Sequence, residues 1–186
     1  MTGFIYKQRR PAGDVNGNWD SCASDNDGTN LIAAFDGGRL WTSANSGVSW
    51  TERQPAGNVD QWWKCCASDD DGTNLIAGIY SGRLWTSANS GGSWTERQPA
   101  GNVNALWFSC ASDSDGTNLI AGVHGGRLWT SANGGVSWTE RQPAGAADKD
   151  WRCCASDSDG TNLIAGVENG RLWTLVEGII NFLIFF

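Results

Sequence analysis

Short apolar runs of four to six residues alternate along the chain with clusters of Gly, Asp, Asn and Ser, and no window carries a helical period. One stretch shows the grammar: Trp63 to Ser68, Leu75 to Ile79, Arg83 to Ser87 and Ser93 to Arg97 are four runs rich in Trp, Leu, Ile and Thr. Asp71-Gly72 separates the first two runs and favours a tight reversal, so the pattern predicts four consecutive antiparallel β-strands. The second run, LIAG, is apolar on both faces, which a strand needs only when its sheet is covered on both sides.

The same grammar recurs every 44 residues. Cys22, Cys66, Cys110 and Cys154 keep that spacing, as do Trp19, Trp63, Trp107 and Trp151, then Trp41, Trp85, Trp129 and Trp173, and all four prolines, Pro11, Pro55, Pro99 and Pro143. A period of this size, filled by four short strands, predicts an all-β fold: a β-propeller of four four-stranded blades packed face to face. The units run over 14–57, 58–101, 102–145 and 146–178, in a single domain spanning 1–178.

The segments SANSGVSW (43–50), SANSGGSW (87–94) and SANGGVSW (131–138) resemble the Asp-box, or bacterial neuraminidase repeat, S-x-D-x-G-x-x-W. The surrounding DGTNLIAG and GRLWTS are similar to blades of sialidase-like, sortilin-like and photosystem-assembly-factor propellers. The box aspartate is replaced throughout, by Asn45, Asn89 and Asn133, whose side-chain oxygens can still accept backbone N–H bonds in an Asx-type turn. The resemblance implies a structural role for Ser43, Asn45, Gly47 and Trp50, for Ser87, Asn89, Gly91 and Trp94, and for Ser131, Asn133, Gly135 and Trp138, away from any active centre.

The fourth unit stops after Trp173-Thr174 without its box, while GFIYKQRRPAG (3–13) aligns with GVSWTERQPAG (47–57), Tyr6 standing for Trp50 and Arg9 for Arg53. Residues 3–9 are therefore expected to supply the outer strand of the last blade and close the ring, which removes exposed strand edges. A monomer is the favoured expectation, with a dimer that exchanges these strands into an eight-bladed ring as the alternative. The apolar tail 179–186 lies outside the repeat and is too short to cross a bilayer. Its readings are strand pairing on the last blade, docking on a partner or peripheral membrane contact, or an unrelated end.

Composition narrows the chemistry. The 186 residues carry 13 basic and 20 acidic side chains, a net charge of −7 and the wrong sign for a phosphate-tracking surface, so no nucleic-acid partner is expected. A single histidine, His124, excludes a site built on several imidazoles, and no metal centre is expected. The turns Asp25-Asn26-Asp27-Gly28, Asp69-Asp70-Asp71-Gly72, Asp113-Ser114-Asp115-Gly116 and Asp157-Ser158-Asp159-Gly160 offer calcium two carboxylates each, short of a full loop, and read as structural turns without a cofactor. Six cysteines, two pairs of them adjacent, read as small apolar filler between blades. Free thiols and an N-terminal stretch lacking an apolar h-region favour an intracellular or organellar setting over a secreted one. Arg39, Arg83, Arg127 and Arg171 occupy one repeated slot, unlike the arginine cluster of sialidases, and the chain has only two tyrosines, Tyr6 and Tyr80. The expectation is no enzyme, with a sialidase-like glycoside hydrolase as the weakest of three readings.

The four units differ from one another in two places: the links 14–18, 58–62, 102–106 and 146–150, and the turns at 35–37, 79–81, 123–125 and 167–169. In a propeller both connections emerge on one face, whereas the near-constant SDxDGTN and SANxG turns emerge on the other. Drift after duplication would produce variable loops too, but variable loops on a rigid scaffold are where binding surfaces are built. The candidate surface comprises Phe35, Asp36, Trp62, Tyr80, His124, Lys149 and Glu168. The sequence thus predicts a non-catalytic scaffold for protein–protein interaction, a subunit of a larger assembly, with a multivalent carbohydrate-binding lectin as the alternative.

Overall fold

The computed structural model describes residues 5–176. All its regular elements are strands, joined by tight turns, and no helix in it is long and apolar enough to cross a membrane. The first sheet comprises β1 (Trp19–Ser24), β2 (Leu31–Gly38), β3 (Leu40–Ser43) and β4 (Thr51–Arg53), and the second β5 (Gln61–Ser68), β6 (Leu75–Gly82), β7 (Leu84–Ser87) and β8 (Thr95–Arg97). The third holds β9 (Ala105–Ser112), β10 (Leu119–Val123), β11 (Leu128–Ser131) and β12 (Thr139–Arg141). The last shows three strands among the described residues, β13 (Trp151–Ser156), β14 (Asn162–Val167) and β15 (Leu172–Val176). Within each sheet consecutive strands pair antiparallel, as the Asp-Gly reversals predict.

Several strands outrun the apolar runs that announce them. β2 and β5 pair at Asp36↔Trp62, and β6 and β9 pair at Tyr80↔Leu106, so the first strand of one blade extends the second strand of the blade before it. Between the third and fourth blades only the isolated Gly126↔Lys149 bridge forms, and there β10 and β13 stay short.

The core lies between sheets. Trp63, Cys66, Leu75 and Ala77 of the second blade pack against Ile32, Ala34 and Leu40 of the first, and the next two interfaces repeat this around Trp107 and Trp151. Asn30, Asn74 and Asn118 each donate a side-chain N–H to a carbonyl of the following blade, at Asp71, Asp115 and Asp159 (3.0–3.1 Å). Backbone bonds Asn26→Asp70, Asp70→Ser114 and Ser114→Ser158 stitch the same turns together.

The ring does not close within the described residues. β1 packs on β5, β5 on β9 and β9 on β13, but no comparable packing joins β13 to β1. Trp19 is accordingly 40% exposed where Trp63 is 1%, and Ile164 is 38% exposed where Ile76 is fully buried. Residues 5–10 form no strand and Tyr6 is almost fully exposed, which corrects the expectation that residues 3–9 complete the last blade of their own chain. The physical reason is that the arm has no edge of the last blade beside it, since β13 does not pack on β1 and the first and last sheets stay apart. The tail call on 179–186 lies outside the described residues.

Candidate functional site

The two variable connections meet, because the strand extensions pair them. Trp62 lies opposite Asp36, the His124 N–H donates to the Leu106 carbonyl (2.9 Å), and the Glu168 N–H donates to the Asp150 carbonyl (2.9 Å). Asp36, Trp62, Lys64, Tyr80, Phe108 and Arg152 thereby line one cleft of about 390 Å³, drawing on all four blades.

Phe108 is its centre. Tyr80 meets the ring edge-on (centroids 6.3 Å apart) and His124 tilts against it (5.9 Å). The Arg152 guanidinium lies 4.2 Å from the ring centroid and Lys64 Nζ 5.5 Å, both within cation–π range. Each cation is also held by acids. Lys64 pairs with Asp20 and with Asp36 (3.7 Å), and its hydrogen bond to Asp20 raises its pKa. Arg152 donates through Nε and Nη2 to Glu168 Oε2, both at 2.7 Å, and this bond keeps the Glu168 carboxyl below the usual range. His124 stands between two carboxylates, Nδ1 at 3.6 Å from Asp150 and Nε2 at 3.6 Å from Glu168. These three residues bring ligand atoms within 4.8 Å of one another, the arrangement among the described residues that could hold a metal. Glu168 is already bound by Arg152, and the two imidazole nitrogens face separate acids.

Of the seven surface candidates, Asp36, Trp62 and Tyr80 line the cleft, and His124 and Glu168 stand against its lining residues. Phe35 does not: it stacks on Trp19 (4.9 Å) and fills the space beside Gly17 and Gly38. Lys149 serves through its backbone, in the bridge to Gly126. Sequence reasoning missed Lys64, Phe108 and Arg152, together with Asp20. The signal was present, since these are the residues directly after the repeated Trp, one per blade, and they are an acid, two bases and an aromatic where the surrounding repeat is nearly constant.

The remaining motifs bond within and between their own turns. In each box the Asn side chain closes the turn: Asn45 Oδ1 accepts the Ser49 N–H (2.8 Å), Ser43 Oγ accepts the Gly47 N–H (2.9 Å), and Trp50 Nε1 donates to the Gly47 carbonyl (3.1 Å). The same bonds recur around Asn89 and Asn133. In the acidic turns Asp69 Oδ2 accepts both the backbone and side-chain N–H of Asn74 (3.0 and 2.6 Å), and Asp71 Oδ1 accepts the Thr73 N–H (2.8 Å). Arg39 pins the link to the next blade, donating to the Val59 carbonyl (2.6 Å) and pairing with Asp60 (2.9 Å).

No family model matches the chain, and no curated protein matches it. Solved structures do, among them β-propellers. An ancestral GH74 enzyme superposes with a TM-score of 0.70 at 17% identity, over 86% of this chain and 25% of that one. YCF48 from Cyanidioschyzon merolae gives 0.67 at 16%, over 89% and 52%, and YCF48 bound to D1 peptide gives 0.57 at 14%, over 85% and 48%. The β-propeller domain of Myceliophteria thermophila Cps50 (Swd1) gives 0.65 at 10%, over 90% and 54%. The chain thus has the β-propeller fold and spans a quarter to about half the length of these chains.

Proposed function

We propose that this chain is a non-catalytic interaction module of the Asp-box propeller type, and that the Phe108-centred cleft takes a peptide segment of a protein partner. The observation that carries the reading is the composition of the cleft: six residues from four blades, every one at a position where the repeats differ, on blades that are otherwise nearly identical. An aromatic floor with Trp62 57% exposed beside it offers the apolar anchor that peptide clefts use, and Asp20, Asp36, Asp150 and Glu168 outnumber Lys64 and Arg152, which favours a basic or aromatic segment. YCF48, one of the similar folds, has been solved with a peptide bound, which supports a peptide ligand for this scaffold. The acids support the non-catalytic part. Glu168 is held ionised by Arg152, the opposite of the raised pKa a glycosidase general acid needs.

The lectin reading has one observation of its own: equivalent polar clefts lie between successive blades, including those lined by Ser43, Asn89 and Arg53 and by Ser87, Asn133 and Arg97. They contain no aromatic platform for a sugar ring, which favours the peptide. Panning a random peptide library on the immobilised chain, with a glycan array in parallel, tests both. Selected peptides should lose at least about tenfold in affinity on Trp62→Ala or Phe108→Ala, a hot-spot effect. Glycan binding that survives those substitutions, with no cleft-dependent peptide, would replace the proposal with the lectin.

A further inference from the structure

The two ends of the arc carry the two halves of an interface that the chain already builds three times. At the leading end, Trp19 and Cys22 sit where Trp63 and Cys66 are buried against a preceding blade. At the trailing end, Ile164, Leu172 and Cys153 sit where Ile76, Leu84 and Cys65 are buried against a following blade. The polar stitching is matched as well. Asn162 Nδ2, which on earlier blades would reach the next blade's carbonyl, bonds only to Asp157 and Thr161 of its own turn among the described residues.

Among the described residues the trailing blade has neither an outer strand nor the tryptophan that comes with it. Trp94 and Trp138 pack against the first two inter-blade cores. At the corresponding place between the third and fourth blades there is instead an apolar cleft of about 260 Å³, lined by Leu128, Pro143, Leu163, Ile164, Trp173 and Leu175. Counting back along the repeat, the residue that belongs there is the one at the position of Tyr6. The N-terminal arm is already in phase for that role. Arg9 Nε lies 3.6 Å from where a Gly47 Cβ would be, as Arg53 Nε lies 3.3 Å from that of Gly91, so the arm runs beside the first blade as an outer strand of a preceding blade would. Among the described residues no blade of its own chain takes that place, because β13 does not reach β1.

We infer that two copies of this chain close one ring head to tail, each lending residues 5–9 to the partner copy as the outer strand of its last blade, with Tyr6 entering the Leu163–Trp173 cleft. The register follows from Leu40↔Arg53 and Thr42↔Thr51: Arg9 comes opposite Leu172 and Lys7 opposite Thr174 of the other copy. The Arg9 guanidinium then reaches Thr174, as Arg53, Arg97 and Arg141 reach Thr42, Thr86 and Thr130 at 2.7–2.8 Å. A second copy is the occupant because its surfaces continue an interface this sequence has already satisfied three times. A two-fold arrangement closes both ends at once and leaves no exposed blade face.

The full chain can be tested without alteration, because its two exposed thiols, Cys22 and Cys153, mark the two open ends. Sedimentation equilibrium should give twice the 19.9 kDa of one chain, and a disulfide reagent should find Cys22 and Cys153 slow at high concentration and fast on dilution. Tyr6→Ala combined with Arg9→Ala should weaken association at least about tenfold and leave both thiols fast throughout. Arg10→Ala, which alters a residue bonded only within its own arm and link, should do neither. The inference is overturned by a single-chain mass at the highest soluble concentration, by a dimer that the Tyr6/Arg9 double variant does not weaken, or by a dimer whose Cys22 and Cys153 stay reactive. A ring of any other number of copies overturns it too. Tail burial of the cleft by residues 179–186 would appear as the single-chain mass.

Discussion

Trp62 and Trp107 are the same residue type, and the structure gives them opposite tasks. Trp107 is 2% exposed between the second and third blades, so Trp107→Ala should cost about 3–5 kcal/mol of stability, measured by urea unfolding. Trp62, standing at the rim of the cleft, should change stability by no more than about 0.5 kcal/mol when cut to Ala, its effect falling on binding. The period of 44 distinguishes the two, since Trp62 is the one tryptophan outside the repeated positions. Phe108 was not legible in the same way. It lies inside W-x-x-C, a string whose constancy reads as core, and the strand pleat turns it from the buried Trp107 toward the cleft.

At the scale of the turn, the acidic loops are fastened from two directions. Gly116 has φ +74°, and a Cβ there would lie 2.3 Å from the Asn74 Cβ of the blade before. Gly116→Ala therefore combines backbone strain with loss of the Asn74 stitch and should lower stability by about 2 kcal/mol or more, checked by thermal unfolding. Asp27, Asp71 and Asp115 are each held below the usual carboxylate range, first by the threonine two residues on, and Asp157 by Asn162. A carboxyl whose folded pKa is depressed contributes stability above its unfolded pKa and loses it as pH falls through the folded value. Burial raises Asp69, which acts in the opposite sense. With four depressed groups against one, the melting temperature should be steady above about pH 5 and fall as the medium is acidified below about pH 4. Asp115→Asn should make that fall shallower, and no acid loss at all would count against the turns as the cause. Asp-Gly made these turns legible as reversals. That their asparagines reach the next blade was not, because the bond joins residues 41 apart in different sheets.

For the whole molecule, the thiols report assembly. Burial pushes Cys66 and Cys154 up to about 12 and raises Cys110 as well, so none of these three should react readily in either the single chain or the closed ring. A reagent at neutral pH should therefore find at most the two end thiols fast. The cleft belongs to this scale too. Peptide binding through an acidic rim should weaken as salt is raised, measured by titration with a selected basic peptide, because exposed charges are screened within about 10 Å at 0.1 M.

The repeat alone determined the strands, their pairing within blades and the Trp-filled contact between them, since each depends on residues close in sequence or on faces that recur every 44 residues. It also marked five of the residues gathered in or against the cleft. Only the tertiary structure decided whether the repeated faces are covered. Trp19 and Trp63 have the same motif around them, and one is exposed while the other is buried because, among the described residues, a blade packs ahead of the second alone. Burial is a property of neighbours, and a near-perfect repeat gives every blade the same face without saying which blades have one to meet.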